Sequence, residues 1–382
     1  MLNLKNNFND YEDEKTLRVS EEEEKFYLAS QWQLIWWKFK KHKLAVIGGI
    51  ILLILYFLAI FCDFLSPYGL TTRFEDHRNS PPTRIHFVDE NRQLHRPFIY
   101  KANKKLDIST FQYIIEEDRS QKYFISFFVR GEPYKLLGII QTDIHLFGTG
   151  ENPIFLFGTD ALGRDLFTRC LYGSRISLSI GLIGVFLSFF LGLIIGGISG
   201  YYGGNIDNFI QRVIDFLISI PSIPLWMALS AALPRDWPVV KTYFAITLIL
   251  SLVGWCGLAR VVRGKLLVLR EEEFTLAARL AGASELRIII RHLLPSFTSH
   301  LIVSITLSIP NMILGETALS FLGLGMRPPA VSWGVLLQDA QKLESIAVYP
   351  WRLIPALFVV LTVLAFNFLG DGLRDAADPY SR

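Results

Sequence analysis

The chain carries too little charge for a soluble surface. Only 19% of its 382 residues are Asp, Glu, Lys or Arg, while 51% are hydrophobic. Soluble domains run nearer 25% charged and 45–50% apolar. An excess of one sign is also missing. Thirty-eight basic against 35 acidic side chains leave a formal charge of +3, so no global field recruits polyanions and a nucleic-acid-binding domain is excluded. Three cysteines, Cys62, Cys170 and Cys256, form no C-x-x-C pair, which indicates neither a disulfide scaffold nor a zinc site. Gly264-Lys265 is followed by Leu266, so this Gly-Lys pair fails the test for a phosphate-cradling Gly-x4-Gly-Lys-[Ser/Thr] loop. No His-Glu-x-x-His occurs, and the embedded polar residues form no Ser/His/Asp or paired-carboxylate set by position. The charge that exists crowds into residues 1–43, 71–135 and 260–291, with long apolar blocks between. That distribution excludes a disordered chain and an ordinary soluble enzyme. It indicates an integral membrane protein.

A span needs about 20 mostly apolar residues. Six blocks qualify: Leu44–Cys62, Ile176–Ser199, Phe209–Leu233, Tyr243–Val262, Phe297–Leu324 and Leu353–Leu369. The first is read as a retained helix rather than a signal peptide, because 43 residues precede it and no small-x-small cleavage site follows. The third carries Arg212 and Asp215 near its start and is interrupted by Pro221 and Pro224; Pro310 falls inside the fifth. Membrane helices tolerate proline where neighbours re-satisfy the freed carbonyl. Lys38, Lys40, Lys41 and Lys43 precede the first span, and seven Lys or Arg lie between spans four and five, from Arg260 to Arg291. The loops after spans three and five are poorer in them, with Arg235 and Lys241 in the first and Arg327 and Lys342, with Arg352 at the edge of span six, in the second. Both termini are therefore expected on the cytoplasmic side, with the long segment after span one outside.

Residues 1–25 are polar and read as a disordered tail. Leu28, Trp32, Ile35, Trp36 and Phe39 recur at helical spacing with Lys38, Lys40 and Lys41 off the stripe, which fits an amphipathic helix lying along the interface. Residues 66–157 have a different texture. PPTRIHFVDE, LHRPFIY, YFISFFVRG and YKLLGII read as short strands between turn residues, and a small β-containing domain is expected. His77, His86, His95 and His145 hold no ligand spacing there. Next comes Gly158-Thr159-Asp160-Ala161-Leu162-Gly163-Arg164-Asp165. Its turn glycines, capping Thr and Asp, and carboxylate-pairing Arg suit a structural turn or an outer-face contact site, and both readings stay open. Gly192, Gly196 and Gly200 are spaced by four on the second span, so helix packing is expected along that face, with a permeation lining as the alternative. Glu316 lies within span five; it either pairs across a subunit interface or plays a structural role near Gly315.

The segment between spans four and five carries the most information. Phe274–Ala281 contains good helix formers, Gly282 can end that helix at a position needing φ > 0, and Ser284 can cap a second helix from Glu285. Two short helices joined by a glycine bend make a rigid knob. A partner can grip it, or it is an interfacial hairpin with a packing role only.

Leu276-Ala277-Ala278-x3-Gly282-x9-His292-Leu293-Leu294-Pro295 resembles the EAA loop of permease subunits in binding-protein-dependent ABC importers. The family pattern has Glu where Leu276 stands and often Ile where His292 stands. Arg291-His292 before the closing Leu-Leu-Pro looks like the peptide-transporting branch. FGTDALGRDLFTRCLYGSRISLS, YYGGNIDNFIQRVIDFLISIP, ETALSFLGLGMRPPAVSWGVLLQDA and LTVLAFNFLGDGLRDAADP resemble the dipeptide/oligopeptide/nickel branch, C-type subunit, in the same order. The resemblance covers roughly residues 30–62 and 156–380.

It implies an all-α membrane fold of six transmembrane helices, of the type I importer permease kind, with a small β-containing extracytoplasmic insertion. Residues 1–43 are then a cytoplasmic tail and interfacial helix, 44–62 the first span and 63–157 the insertion. Residues 158–382 form the permease core, with a coupling loop at 264–295. The resemblance implies an inner-membrane subunit forming half of the passage for di- and oligopeptides delivered by an extracytoplasmic binding protein. It also implies a second permease as heterodimer partner and two cytoplasmic ATP-binding subunits that hydrolyse ATP in its place. Contacts with an ATPase would come from Phe274, Leu276, Ala277, Ala278, Gly282, Ala283, Glu285 and Leu286. Gly158, Thr159, Asp160, Gly163, Arg164 and Asp165 are the candidate outer-face or gate motif. Neither a cofactor, a metal nor a catalytic residue is expected in the chain. The alternative class is a secondary transporter or channel for small polar solutes, which would be expected to show charges along a path or paired discontinuous helices in two repeats.

Overall fold

The computed structural model describes residues 28–107 and 112–377; the tail expected over residues 1–25 lies outside them. Among the described residues, five helices are long and apolar enough to cross a membrane: Lys43–Ile60, Leu166–Tyr202, Val239–Leu269, Thr298–Phe321 and Pro350–Ala377. They are called here the first, second, fourth, fifth and sixth spans. The third apolar block departs from expectation. It folds as two helices, Gly204–Ser219 and Ser222–Ala231, bent by 82°. The break falls where Pro221 lacks an N–H and disfavours the helical region at the residue before it; Ile220 accordingly sits at φ −86°, ψ 125°. The pair counts as a crossing only as one broken span.

A helix of Gln31–Lys41 precedes the first span. Ser30 and Gln33 close a capping box at its start, the Ser30 amide donating to Gln33 Oε1 at 2.9 Å. Phe39 and Ile35 pack on Ala45 and Ala376, whereas Trp32, Trp36 and Trp37 stay exposed and Lys40 sits 5.1 Å above the Trp36 ring. Part of the apolar stripe thus faces the bundle, and the tryptophans are left for the headgroup layer.

The second span organises the molecule. Its 37 residues would extend about 55 Å at 1.5 Å per residue, well beyond a hydrocarbon core of about 30 Å. Both ends therefore stand clear of the core and carry other elements. Along the middle, small residues bring the fourth span close. A Cβ on Gly192 would stand 2.9 Å from Leu258 Cβ, one on Gly196 2.8 Å from Ala259 Cα, and one on Gly200 2.7 Å from Arg263 O. Ser251 Oγ donates to Gly184 O at 3.0 Å in the same seam. Leu178, Ile180, Ile246, Leu250, Ile313 and Trp333 fill the centre. Pro310 is buried inside the fifth span.

The insertion holds two small antiparallel sheets. β1 (His86–Val88), β2 (Leu94–Asp107) and β3 (Gln112–Phe124) form one; β4 (Ser126–Leu136) and β5 (Ile140–Gly148) form the other. Two expectations change here. YKLLGII was expected as one strand, but Leu137 and Gly138 take positive φ (53° and 74°) and form the turn between β4 and β5. β3 and β5 were not expected at all over most of their length. Gln121, Arg119 and Asp118 give no apolar alternation to read, because a strand solvated on both faces needs none. His145 is buried with its two ring nitrogens 2.5 Å from Ser66 O and 2.9 Å from Glu132 O. His86 and His95 lie 3.2 and 3.0 Å from Glu117 and Asp89.

Candidate functional site

At one end of the bundle the fourth span runs out at Leu269 and the chain folds back under the second span. Arg270 Nη1 donates to Tyr201 O at 3.2 Å, so a guanidinium meets the unsatisfied carbonyls that close a helix. Thr275 is fully buried and its Oγ1 donates to Leu269 O at 2.8 Å. These two bonds fix the start of the helix Glu273–Leu280.

Its end is set by Gly282. The Gly282 N–H donates to Arg279 O at 3.0 Å and the Ala283 N–H to Ala278 O at 3.1 Å, the paired bonds of a Schellman motif. The motif needs a left-handed residue between them, and Gly282 has φ +78°. Ala278 and Ala283 meet across the bend and lean on the buried cluster of Tyr201, Val262, Leu266, Ile288, Leu293 and Phe297. Ser284 stands at the start of the next helix, Glu285–Ile288, but its side chain makes no capping bond, contrary to expectation. Glu285 instead accepts from Tyr202 OH at 2.9 Å. The chain then widens into a π-helical turn, Ile289–Leu293. Pro295 explains the widening, since its ring would clash with the carbonyl four residues back.

The sequence-predicted loop residues divide by this geometry. Ala278 and Ala283 are half-buried on the bundle. Phe274, Leu276, Ala277, Gly282, Glu285 and Leu286 are exposed, and Leu280, which sequence reasoning did not single out, is 90% exposed at the apex. The result is a slim knob, apolar at its tip and rooted on the second, fourth and fifth spans. It contains no nucleophile–base pair. Among the described residues no group of three or more His, Cys, Asp or Glu is placed to hold a metal ion.

Beside the knob lies a charge cluster formed by the third helical segment and the fourth span. The structure pairs Arg260 with Asp215, and Arg263 grips Asp207 through Nε and Nη2, both at 2.5 Å. Ser199 Oγ adds a third donor to Asp207. Asp207 was missed. The signal was the Gly203-Gly204 pair before it: Gly203 takes φ +66°, ψ −156°, a region essentially reserved for glycine, and this sharp turn aims Asp207 at the fourth span.

The motif at 158–165 occupies the opposite end. Asp160 accepts from Arg164 Nε at 2.7 Å, from the Leu162 amide at 2.8 Å and from Arg169 Nη1 at 2.5 Å. Burial pushes the Asp160 carboxyl up, but the charges of Arg169 and Arg164 outweigh it and hold it below its usual range. Thr159 Oγ1 accepts from the Ser80 amide at 2.8 Å and donates to His77 O. Gly158 and Gly163 take positive φ against Trp351 and the Phe74 carbonyl. Asp165 caps the second span, accepting from the Thr168 amide at 2.8 Å. Burial pushes its carboxyl up to about 7, only partly offset by Thr168. Of this motif only Ala161 and Leu162 are exposed. It ties the insertion to the bundle. Glu316 is likewise internal: it is fully buried and accepts from Ser320 Oγ at 2.7 Å and Ser177 Oγ at 3.2 Å. Pairing across a subunit interface does not fit that burial.

Residues 190–382, which contain the knob, match the family described as the binding-protein-dependent transport system inner membrane component. Residues 30–82 match the N-terminal TM domain of oligopeptide transport permease C. The chain is 34% identical over 348 residues to the dipeptide transport system permease protein DppC of Bacillus subtilis (strain 168), covering 91% of this chain and 85% of that protein. The chain belongs to this transport-permease family. Oligopeptide permeases OppC of Bacillus subtilis and Haemophilus influenzae are 41% and 44% identical over 227 and 228 residues, in each case 59% of this chain and 72% and 70% of theirs. As a transport permease the chain is a multi-pass component of an inner membrane. The two family matches leave residues 83–189 uncovered, and all five strands and the 158–165 motif fall in that gap.

Proposed function

We propose that this permease forms half of the membrane passage of an ATP-driven peptide importer and that the knob at 273–288 is its coupling element. The observation that carries the reading is the knob's construction. Exposed Leu280, Leu286, Phe274 and Leu276 offer an apolar tip suited to a groove on a partner. Thr275, Ile288 and Leu293 are buried beneath them. A push on the tip is therefore passed to the fourth and fifth spans through packing, and to the second through Arg270 and the Glu285–Tyr202 bond. Two cytoplasmic ATPases would close on ATP and drive this knob and that of a second permease, shifting the bundle between two states. ATP hydrolysis belongs to those subunits, and this chain supplies the passage. The Lys and Arg crowding this end support a cytoplasmic knob and cytoplasmic termini, with the sheets outside, facing a binding protein that delivers cargo. Peptide cargo follows from the relatives, which are named as dipeptide and oligopeptide permeases.

Co-purification tests the proposal. The chain is expected to draw down an ATPase encoded beside it, and Leu280→Asp is expected to weaken the association strongly while leaving the permease in the membrane. Peptide uptake driven by a proton gradient in vesicles with no ATPase subunit present would overturn the reading. A reporter fused at residue 121 tests the topology: cytoplasmic activity there refutes the orientation.

A further inference from the structure

The β4–β5 hairpin ends in an apolar turn that nothing among the described residues covers. From Tyr134 through Thr142 the sequence is YKLLGIIQT, with no acidic residue. Ile139 is 83% exposed, and Leu137 and Ile140 are exposed beside it. Turn positions with positive φ favour Asn, Asp or Gly, yet Leu137 occupies such a position at φ 53°. A soluble turn gains nothing from leucine there.

The root of the hairpin fixes its level relative to the membrane. Leu146 packs against Cys62, Leu65 and Leu171, at the ends of the first and second spans. The Phe128 ring lies 6.1 Å from Phe64, and Phe147 lies 5.9 Å from Phe167. Immediately below, Arg175 pairs with Asp63 at 2.6 Å and donates to Ala59 O and Ile60 O at the end of the first span. A charged pair closing an apolar helix marks the headgroup boundary. Tyr134 lies close enough to Asp63 to feel its carboxylate. From Tyr134 β4 runs two more residues, to Leu136, before the turn, about 7 Å at strand rise. The exposed apolar face of the first span, Ile50, Leu53, Phe57 and Ile60, continues through Phe64 to exposed Phe127 and Phe128.

We propose that the β4–β5 hairpin rests on the membrane and buries Leu137, Ile139 and Ile140 in the leaflet on the insertion side, with Lys135 at the phosphates. Its occupant is phospholipid, chosen by continuity with the lipid-facing surface of the first span and by the absence of acidic side chains at the tip. The inference is independent of the cargo and of ATPase coupling.

Spin labels at Ile139→Cys test it in the assembled transporter, reconstituted in vesicles of phosphatidylethanolamine and phosphatidylglycerol. Cys62, Cys170 and Cys256 are buried, so labelling selects the new thiol. The label is expected to collide with oxygen and not with a water-soluble nickel chelate, at a depth of about 5–10 Å below the phosphates. A label at Gln121→Cys on β3 supplies the water-exposed reference. Nickel access at residue 139 equal to that at 121 overturns the proposal. Shielding from both collision partners overturns it as well, since the tip is then covered by protein. Leu137→Cys gives the same reading if Ile139→Cys does not assemble.

Discussion

The two ends of the bundle are both short elements hung on long helices, yet they place polar and apolar groups in opposite ways. At the insertion end the polar residues are inside: Asp160, Arg169, Thr159 and Asp165 are buried, with Arg169 on Asp160, the Ser80 amide on Thr159 and the Thr168 amide on Asp165. At the knob end the apolar residues are outside, with Leu280 the most exposed large side chain of the loop. A polar motif buried within the fold offers little surface to a partner. A rooted apolar tip leaves its whole binding surface available. The difference supports a structural reading of the 158–165 motif and the proposed contact role of the knob, and each reading can be broken by experiment.

The largest expected effect is at the insertion end. Asp160→Ala strands Arg169, whose side chain is 1% exposed and whose other carboxylate, Asp339, lies 3.4 Å away on a half-exposed side chain. Removing one partner of a buried pair costs about 3–5 kcal/mol. A large fall in thermal midpoint in detergent is expected, with loss of the chain from the membrane. If Asp160→Ala is as stable as the parent but loses transport, the motif is a contact site after all and the comparison fails.

Asp165 follows, and its sign is opposite to that of Asp160. Its folded pKa, about 7, lies above the usual carboxylate value, so the folded state holds the proton longer than the unfolded chain. The stability it contributes is full below about pH 4 and is lost as pH rises through 7, by about 2–4 kcal/mol. Asp165→Asn keeps an acceptor for the Thr168 amide and removes the titration. It is expected to raise the thermal midpoint at pH 8 relative to the parent and to flatten the profile between pH 4 and 8. Unchanged profiles would mean that Asp165 is charged in the folded chain.

These two residues also show how much was legible beforehand. The sequence offered the motif as a compact polar stretch, and its chemistry suited a knot or a contact equally well. What decided between them was burial by His77, Ser80 and Trp351, residues far along the chain, which no local pattern encodes. The knob was more legible because its signals are local: helix formers, then Gly282 at a left-handed position, then a proline. Leu280 was missed because exposure of one residue on a helical turn depends on which side the bundle takes. The third block was legible in part for a related reason: Pro221 and Pro224 marked its interruption, but mean apolar character does not give the 82° bend between its two helices. In the insertion, β2 was legible in part from LHRPFIY, where Phe98, Ile99 and Tyr100 are buried, while β3 offered no buried face.

Asp207→Ala is expected to have a middling effect. It removes a bidentate pair, but Arg263 keeps about a third of its surface in contact with solvent or lipid, so the cost is about 1–3 kcal/mol, less than for a sealed pair. This site sits beside the knob, where the second, third and fourth helical segments meet. Asp207→Ala and Arg263→Ala, made singly and together, give a coupling energy by double-mutant cycle. A coupling near zero would leave both residues as interfacial charges and remove the clamp from the knob end.

The smallest effect on stability is expected where the effect on function is greatest. Leu280→Asp exchanges an exposed side chain for another and should change stability by no more than about 0.5 kcal/mol. Gly282→Ala keeps open space around the new methyl but forces φ +78° on a residue with a Cβ, about 1 kcal/mol. Neither change should remove the chain from the membrane. An apolar anchor at the centre of an interface is worth about 2 kcal/mol or more, so Leu280→Asp should weaken ATPase binding about thirtyfold. Gly282→Ala should weaken it less, because it tilts the knob without altering the tip. If Gly282→Ala and Leu280→Asp both leave ATPase association and peptide uptake at parental levels, the knob is a packing element, and the two ends of the bundle differ in composition but not in task.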